Sequence, residues 1–385
     1  MFWPSNTDYQ DAVQNPALCF SDPELMRGVL VLDSLGLPRP VNGYFSTVYQ
    51  LDCGTKKYAV KCFLKYLPDR EKRYSKISRY LKARRLSFMV DFEFLREGIK
   101  VQGRWFPVLK MEWVEGEHLN CFVERNLSRP RVIWELAQSF LGVAQELKRN
   151  SIAHGDLQHG NILVVGGGIK LIDYDGMFIP AFKGMRSDEV GHRNYQHPYR
   201  GEKDFGSYMD HFSSLVIYLS LLAVSINPTL WKRHGGGEEN LLFRKEDFTR
   251  SDQSPLLHEL NDIRDGTVRS LCASLKSFAL VTDLCRIPPL DFKRLQGIET
   301  PAPEALIPEW LQGYVRLEAA TKKAPSGGTH REAFLDGSRE PASIIAGIEN
   351  YLKAHRLPFF LLLGLFIFFV ALGAFELLNT SAVFR

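Results

Sequence analysis

Residues 152–178, IAHGDLQHGNILVVGGGIKLIDYDGMF, decide how this chain is read. His154-x-Asp156 is followed five residues later by Asn161. Two apolar runs, 162–165 and 169–172, flank Gly166-Gly167-Gly168, and Asp173 closes the second run. Short apolar runs around a glycine turn predict a β-hairpin, which brings its two ends together. Asp173 should therefore return to the neighbourhood of Asp156 and Asn161. Phosphoryl transfer needs a carboxylate to orient and deprotonate an attacking hydroxyl, and oxygen ligands for Mg²⁺ on nucleotide phosphates. These three side chains can supply those parts.

Upstream, residues 47–51 and 57–64 alternate like strands about a turn at Asp52-Cys53-Gly54. Residues 65–85 hold nine Lys/Arg against Asp69 and Glu71 and suit a helix. That stretch is either a solvated face or a surface drawn to anionic lipid. Strand patterns resume over 88–101, interrupted at Arg96-Glu97-Gly98, and after a Gln102-Gly103 turn over 104–113. Beyond Gly116 the chain turns helical, notably at 130–149 with Val132, Leu136, Phe140, Val143 and Leu147 on one period, and at the apolar run 210–224. The class is α+β, a small sheet followed by a helical half. Residues 1–39, with prolines at 4, 16, 23 and 38, predict an irregular leader with one short helix near 24–32. Residues 299–350 read as a Pro/Gly-punctuated linker.

With 385 residues, 48 Lys+Arg and 44 Asp+Glu, the net charge of +4 gives no argument for nucleic acid. The six cysteines form no C-x-x-C pair, so no zinc site is expected and a reducing compartment fits. The first residues lack the basic and apolar regions of a secretory signal. Residues 357–375, LPFFLLLGLFIFFVALGAF, carry no charge and as a helix would cover about 28 Å, enough to cross a bilayer. Lys353, His355 and Arg356 precede this run and only Arg385 follows it, which orients the N-terminal part toward the cytosol. The expectation is a single-pass, tail-anchored protein of the plasma (inner) membrane, with one transmembrane helix at 357–378.

The constellation resembles the protein-kinase-like superfamily, whose catalytic loop is H-R-D-x-x-x-x-N and whose metal loop is D-F-G. Ala59-Val60-Lys61 is similar to its V-A-I-K strand, and 43–49, GYFSTVY, to a reduced Gly-rich loop. Residues 111–116, MEWVEG, resemble the hinge. Residues 191–198, GHRNYQHP, resemble the end of an activation segment, and the run from Asp210 the helix supporting the catalytic loop. Several of these segments also look like those of a bacterial Ser/Thr kinase-like group. The resemblance implies a bilobal fold, with an N-lobe of antiparallel sheet plus one helix over 40–115 and a helical C-lobe over 116–298. It implies ATP and Mg²⁺ as cofactors and a protein substrate. By the same resemblance Asp156 is the catalytic base, Lys61 holds the phosphates and Glu71 orients Lys61. Gly43, Val48, Ala59, Met111, Glu112 and Val114 would contact the nucleotide. Asn161 and Asp173 would hold the metal, with Asp175 as its alternative or second ligand.

Departures narrow the reading. Gly155 replaces the arginine of H-R-D, so transfer should not need a phosphorylated activation segment. Gln158 stands where Ser/Thr kinases carry a lysine, and 154–161, HGDLQHGN, is near the loop of aminoglycoside and choline kinase-like enzymes. A small-molecule hydroxyl kinase and a non-catalytic scaffold at the membrane therefore stand beside the protein Ser/Thr kinase.

Overall fold

The computed structural model describes residues 3–290, apart from Tyr44 and Leu67. The linker at 299–350 and the apolar run at 357–378 lie outside the described residues. Among those described, no helix is long and apolar enough to cross a membrane.

The elements run α1 (Asn6–Val13), α2 (Pro16–Cys19), α3 (Pro23–Met26), β1 (Val29–Leu30), β2 (Val41–Asn42), β3 (Ser46–Asp52), β4 (Lys57–Phe63), α4 (Arg70–Arg84), β5 (Phe92–Val101) and β6 (Arg104–Glu112). There follow β7 (Glu117–His118), α5 (Leu119–Arg125), α6 (Pro130–Arg149), β8 (Ile162–Val165), β9 (Gly168–Leu171), α7 (His211–Ile226), α8 (Thr229–Arg233), α9 (Lys245–Thr249), α10 (Pro255–Asp262) and α11 (Gly266–Phe278). The fold is α+β. An antiparallel sheet is ordered β1-β3-β4-β6-β5, with β2 on the side of β3, and a smaller sheet is ordered β7-β8-β9.

Register in the larger sheet fixes the neighbours of Lys61. It pairs with Val48 across β3 and with Leu109 across β6, while Ala59 pairs with Met111. The interruption read at Arg96-Glu97-Gly98 is a register shift between Leu95 and Ile99. Gly98 is required there, since a Cβ would lie 2.4 Å from a Val108 methyl. At the tip of β8–β9, Gly166 and Gly167 have φ of 56° and 81°, the left-handed pair that a two-residue hairpin turn demands.

The leader differs from its sequence reading. It is three short helices and a strand, because its prolines start helices instead of breaking them. Pro16 and Pro23 occupy first helical positions, where a missing N–H costs nothing, and the Asp22 carboxylate caps α3. Ser5 and Asp8 form a capping box on α1. Tyr9, Val13, Phe20 and Leu25 bury themselves with Val60, Cys62 and Val108 on one face of the large sheet. The Tyr9 hydroxyl donates to Phe63 O at 2.8 Å, and buried Lys110 is neutralised by Asp22 at 2.8 Å and Glu24 at 2.6 Å. The main core collects α4, α6, α7, α10, α11 and the smaller sheet. Residues 212–224 of α7 are buried all round, which explains an apolar run with no polar face.

Candidate active site

Asp210, at the N-cap of α7, organises the loop before β8. Its carboxylate accepts from the backbone N–H of His154 and, at 2.9 Å, from that of Gly155. His154 is fully buried, its Nε2 2.9 Å from Ile172 O, so it packs the loop against the end of β9. Gly155 has φ +87°, and a Cβ there would stand 2.1 Å from Gly176 O. The loop thus lies directly on the backbone after Asp175, and no side chain fits at 155.

Asp156 follows, held by both oxygens. Oδ2 accepts from Asn161 Nδ2 at 2.9 Å and Oδ1 from His192 N–H at 2.7 Å. Asn161 Nδ2 also donates to Asp156 O at 2.9 Å, which leaves the amide oxygen of Asn161 without a donor among the described residues. Gln158 does not reach outward: its Oε1 accepts from Gly160 N at 2.9 Å, capping the short turn that ends at Asn161. His159 packs beside His192, its Nδ1 2.5 Å from the Tyr195 hydroxyl. Burial, with His192 next to it, lowers its pKa to about 4, so this imidazole is neutral at pH 7.

Across from this loop, Lys61 extends from β4. Its ammonium lies 2.7 Å from Asp173 Oδ1 and 2.9 Å from Asp175 Oδ1. Burial opposes the charge on Lys61, but the two carboxylates outweigh it and raise the pKa. Burial likewise works against ionised Asp175, yet Lys61 and a hydrogen bond from the Tyr74 hydroxyl hold its carboxyl below the usual range. Asp173 adopts φ +65°, a left-handed backbone uncommon for a non-glycine residue.

Glu71 does not take the expected place. It pairs at 3.6 Å with Arg96 on the exposed side of α4, and the acids on Lys61 are Asp173 and Asp175. Helical periodicity explains this. The buried stripe of α4 runs through Arg73, Tyr74, Ile77 and Leu81, and Glu71 lies off it. Tyr74, not a glutamate, is the α4 residue that reaches the acid pair.

A cavity of about 280 Å³ lies between β3–β4, residues 111–116 and β8. Gly43, Val48, Ala59, Lys61, Met111, Glu112, Val114, Asn161 and Asp173, nine residues named from the sequence, all line it. The backbone N–H groups of Glu112 and Trp113 are spent on Asp91 O and Lys57 O, whereas that of Val114 has no acceptor among the described residues. Asp156 and Asp175 are not among the lining residues. Asp175 instead borders a small cavity of about 60 Å³ with Arg73, Tyr74 and Glu189.

Sequence reading misses Arg73, Asp188 and Glu189. Arg73, buried on α4, pairs with Asp188 at 3.2 Å. Glu189 is pushed up to about 8 by burial and by the charges of Asp175, Asp173 and Asp156. These contacts join segments far apart in the chain, and no local pattern signals them. No protein-family model and no curated protein matches the chain.

Proposed function

We propose that the chain is an ATP- and Mg²⁺-dependent phosphotransferase of bilobal protein-kinase-like form, acting on Ser/Thr hydroxyls of protein substrates. The observation that carries this reading is one cavity lined by nine of the ten residues assigned to nucleotide and metal, Asp175 being the exception, with Lys61 paired to Asp173 in its lining. Val48 and Ala59 offer apolar walls to a base, and the free N–H of Val114 offers a donor to its edge. Lys61 offsets phosphate charge.

The donor set suits Mg²⁺, which takes one or two carboxylates and keeps its other positions for phosphate oxygens and water. Asp173 and the unused amide oxygen of Asn161 would hold it, and it would supply charge neutralisation on the β- and γ-phosphates. Asp156 lies beside Asn161, outside the cavity lining. There its carboxylate orients the hydroxyl and takes its proton as the oxygen bonds to the γ-phosphorus, while the bond to the β-phosphate oxygen breaks and ADP leaves. The 357–378 run would fix the protein to the bilayer, with the catalytic part on the cytoplasmic side. The exposed Lys72, Lys76, Arg79 and Lys82 of α4 would face anionic lipid.

The test is γ-labelled ATP supplied to the purified full-length chain with a generic protein acceptor and, separately, a metabolite extract. Label on Ser or Thr of protein is expected. Label confined to metabolites would replace the protein acceptor with a small hydroxyl compound. Label nowhere would leave a partner-binding role.

A further inference from the structure

The segment 191–200, GHRNYQHPYR, ends in an arginine that the phosphotransfer roles do not use. Arg200 is buried, and among the described residues no carboxylate oxygen lies within 4 Å of its guanidinium. Its Nη1 donates to Gly155 O at 2.7 Å and to Gln196 Oε1, Nη2 meets Met209 Sδ at 3.5 Å, and Nε has no hydrogen-bond partner among the described residues. Burial lowers its pKa, with Asp210, Asp156 and Glu189 acting in the opposite sense. A buried guanidinium without a paired acid is costly and needs a reason.

The reason lies in the peptide it holds. Gly155 O belongs to the peptide joining Gly155 to Asp156. The preceding N–H groups, of His154 and Gly155, are taken by Asp210. The backbone leading into Asp156 is therefore gripped from both sides, by a carboxylate on its N–H groups and by a guanidinium on its carbonyl. A side chain at 155 could not do this work, because its Cβ would collide with Gly176 O. The cation comes instead from the segment that also sends His192 N–H to Asp156.

We propose that Arg200 is a positioning residue for Asp156, fixing the plane of the 155–156 peptide and with it the aim of the catalytic carboxylate. The proposal rests on the phosphotransfer reading and adds to it the group that holds the base in place. A side chain acting this way changes turnover while leaving nucleotide affinity alone, since Arg200 does not line the nucleotide cavity.

The experiment compares full-length wild type, Arg200→Met and Arg200→Lys by steady-state transfer at varied ATP, with thermal unfolding run in parallel. A misplacement of about 1 Å can cost about 100-fold, so kcat should fall by about that factor in Arg200→Met with KM for ATP within about threefold. Arg200→Lys, which keeps a cationic donor for the carbonyl, should recover to within about tenfold of wild type. A folded Arg200→Met with wild-type kcat overturns the proposal. So does a loss that tracks the unfolded fraction and is no smaller in Arg200→Lys, because that marks a merely structural role. If wild type itself transfers nothing, the phosphotransfer reading falls and this proposal with it; if wild type transfers and Arg200→Met matches it, only this proposal falls.

Discussion

Lys61 Nζ lies 2.7 Å from Asp173 Oδ1, joining β4 to the loop after β9 across 112 residues of chain. With Asp175 at 2.9 Å on the same ammonium, one cation serves two acids. The contact ties the large sheet to the loop that carries the candidate metal ligand. It also neutralises a pair of carboxylates that would otherwise repel each other.

Removing the cation should therefore cost stability as well as chemistry. Lys61→Met leaves Asp173 and Asp175 facing each other unpaired, and we expect a loss of about 2–3 kcal/mol at pH 7, at the low end for a broken buried pair because Asp173 is partly exposed. Asp175 is depressed in the folded state, so its stabilisation is present above the unfolded carboxyl pKa and is lost as pH falls through the folded value. Urea midpoints should differ between variant and wild type at pH 7 and converge as pH falls below the depressed folded value of Asp175. A gap that persists at low pH would mean that packing, not charge, is what Lys61 supplies.

Glu71 offers the opposite case. Its partner is Arg96, on the exposed side of α4. Glu71→Ala should leave transfer within about twofold of wild type and stability within about 0.5 kcal/mol, as for an exposed pair. A drop of about 100-fold in kcat, the scale of a lost catalytic group, would mean that α4 turns during turnover to bring Glu71 to Lys61.

The glycine at 155 is required by space. Gly155→Ala places a methyl 2.1 Å from Gly176 O at φ +87°, where both backbone strain and collision act. We expect a destabilisation of about 3 kcal/mol or more, read as a lowered urea midpoint, with the residual folded protein also impaired in transfer. A variant of unchanged midpoint would show that the loop does not lie on the 175–176 backbone.

Glu189 supplies a pH signature. Its folded pKa of about 8 exceeds the unfolded value, so the folded protein retains a proton that the unfolded chain has released. Stability from this group is complete below about pH 4.3 and falls as pH rises toward 8. Glu189→Gln should match wild type near pH 4 and exceed it by on the order of 2 kcal/mol at pH 9, allowing for solvent at this partly exposed group. Urea titrations in EDTA would read the difference; one that does not change with pH would place Glu189 away from the acid cluster.

How far the sequence can be read depends on how local each signal is. The hairpin of β8–β9, the register shift at 95–99 and the extent of α6 rest on turn glycines and periodicity within a few residues, and they are plain in the chain. The convergence of Lys61 with Asp173 is legible because Lys61 lies within one strand pattern and Asp173 just past the end of another. The leader's helices escape a reading that treats Pro16 and Pro23 as interruptions, when the Asp22 cap and the Ser5–Asp8 box mark helix starts. Charge alone singles out Glu71. The buried stripe of Arg73, Tyr74, Ile77 and Leu81, visible as a helical period, argues against it. Arg200 and Glu189 carry no local signal, since their partners Gly155 and Asp175 become neighbours only when the 187–200 segment folds back over the loop.

The most direct test of phosphoryl transfer through Asp156 is release of γ-labelled phosphate from ATP to acceptor by the full-length chain in Mg²⁺, wild type beside Asp156→Ala. Asp156 holds its carboxylate between Asn161 and His192 N–H, and loss of that base should lower kcat by about 100-fold or more while ATP still binds. Equal rates in wild type and Asp156→Ala would contradict the role given to Asp156, and no transfer by either would remove the enzymatic reading altogether.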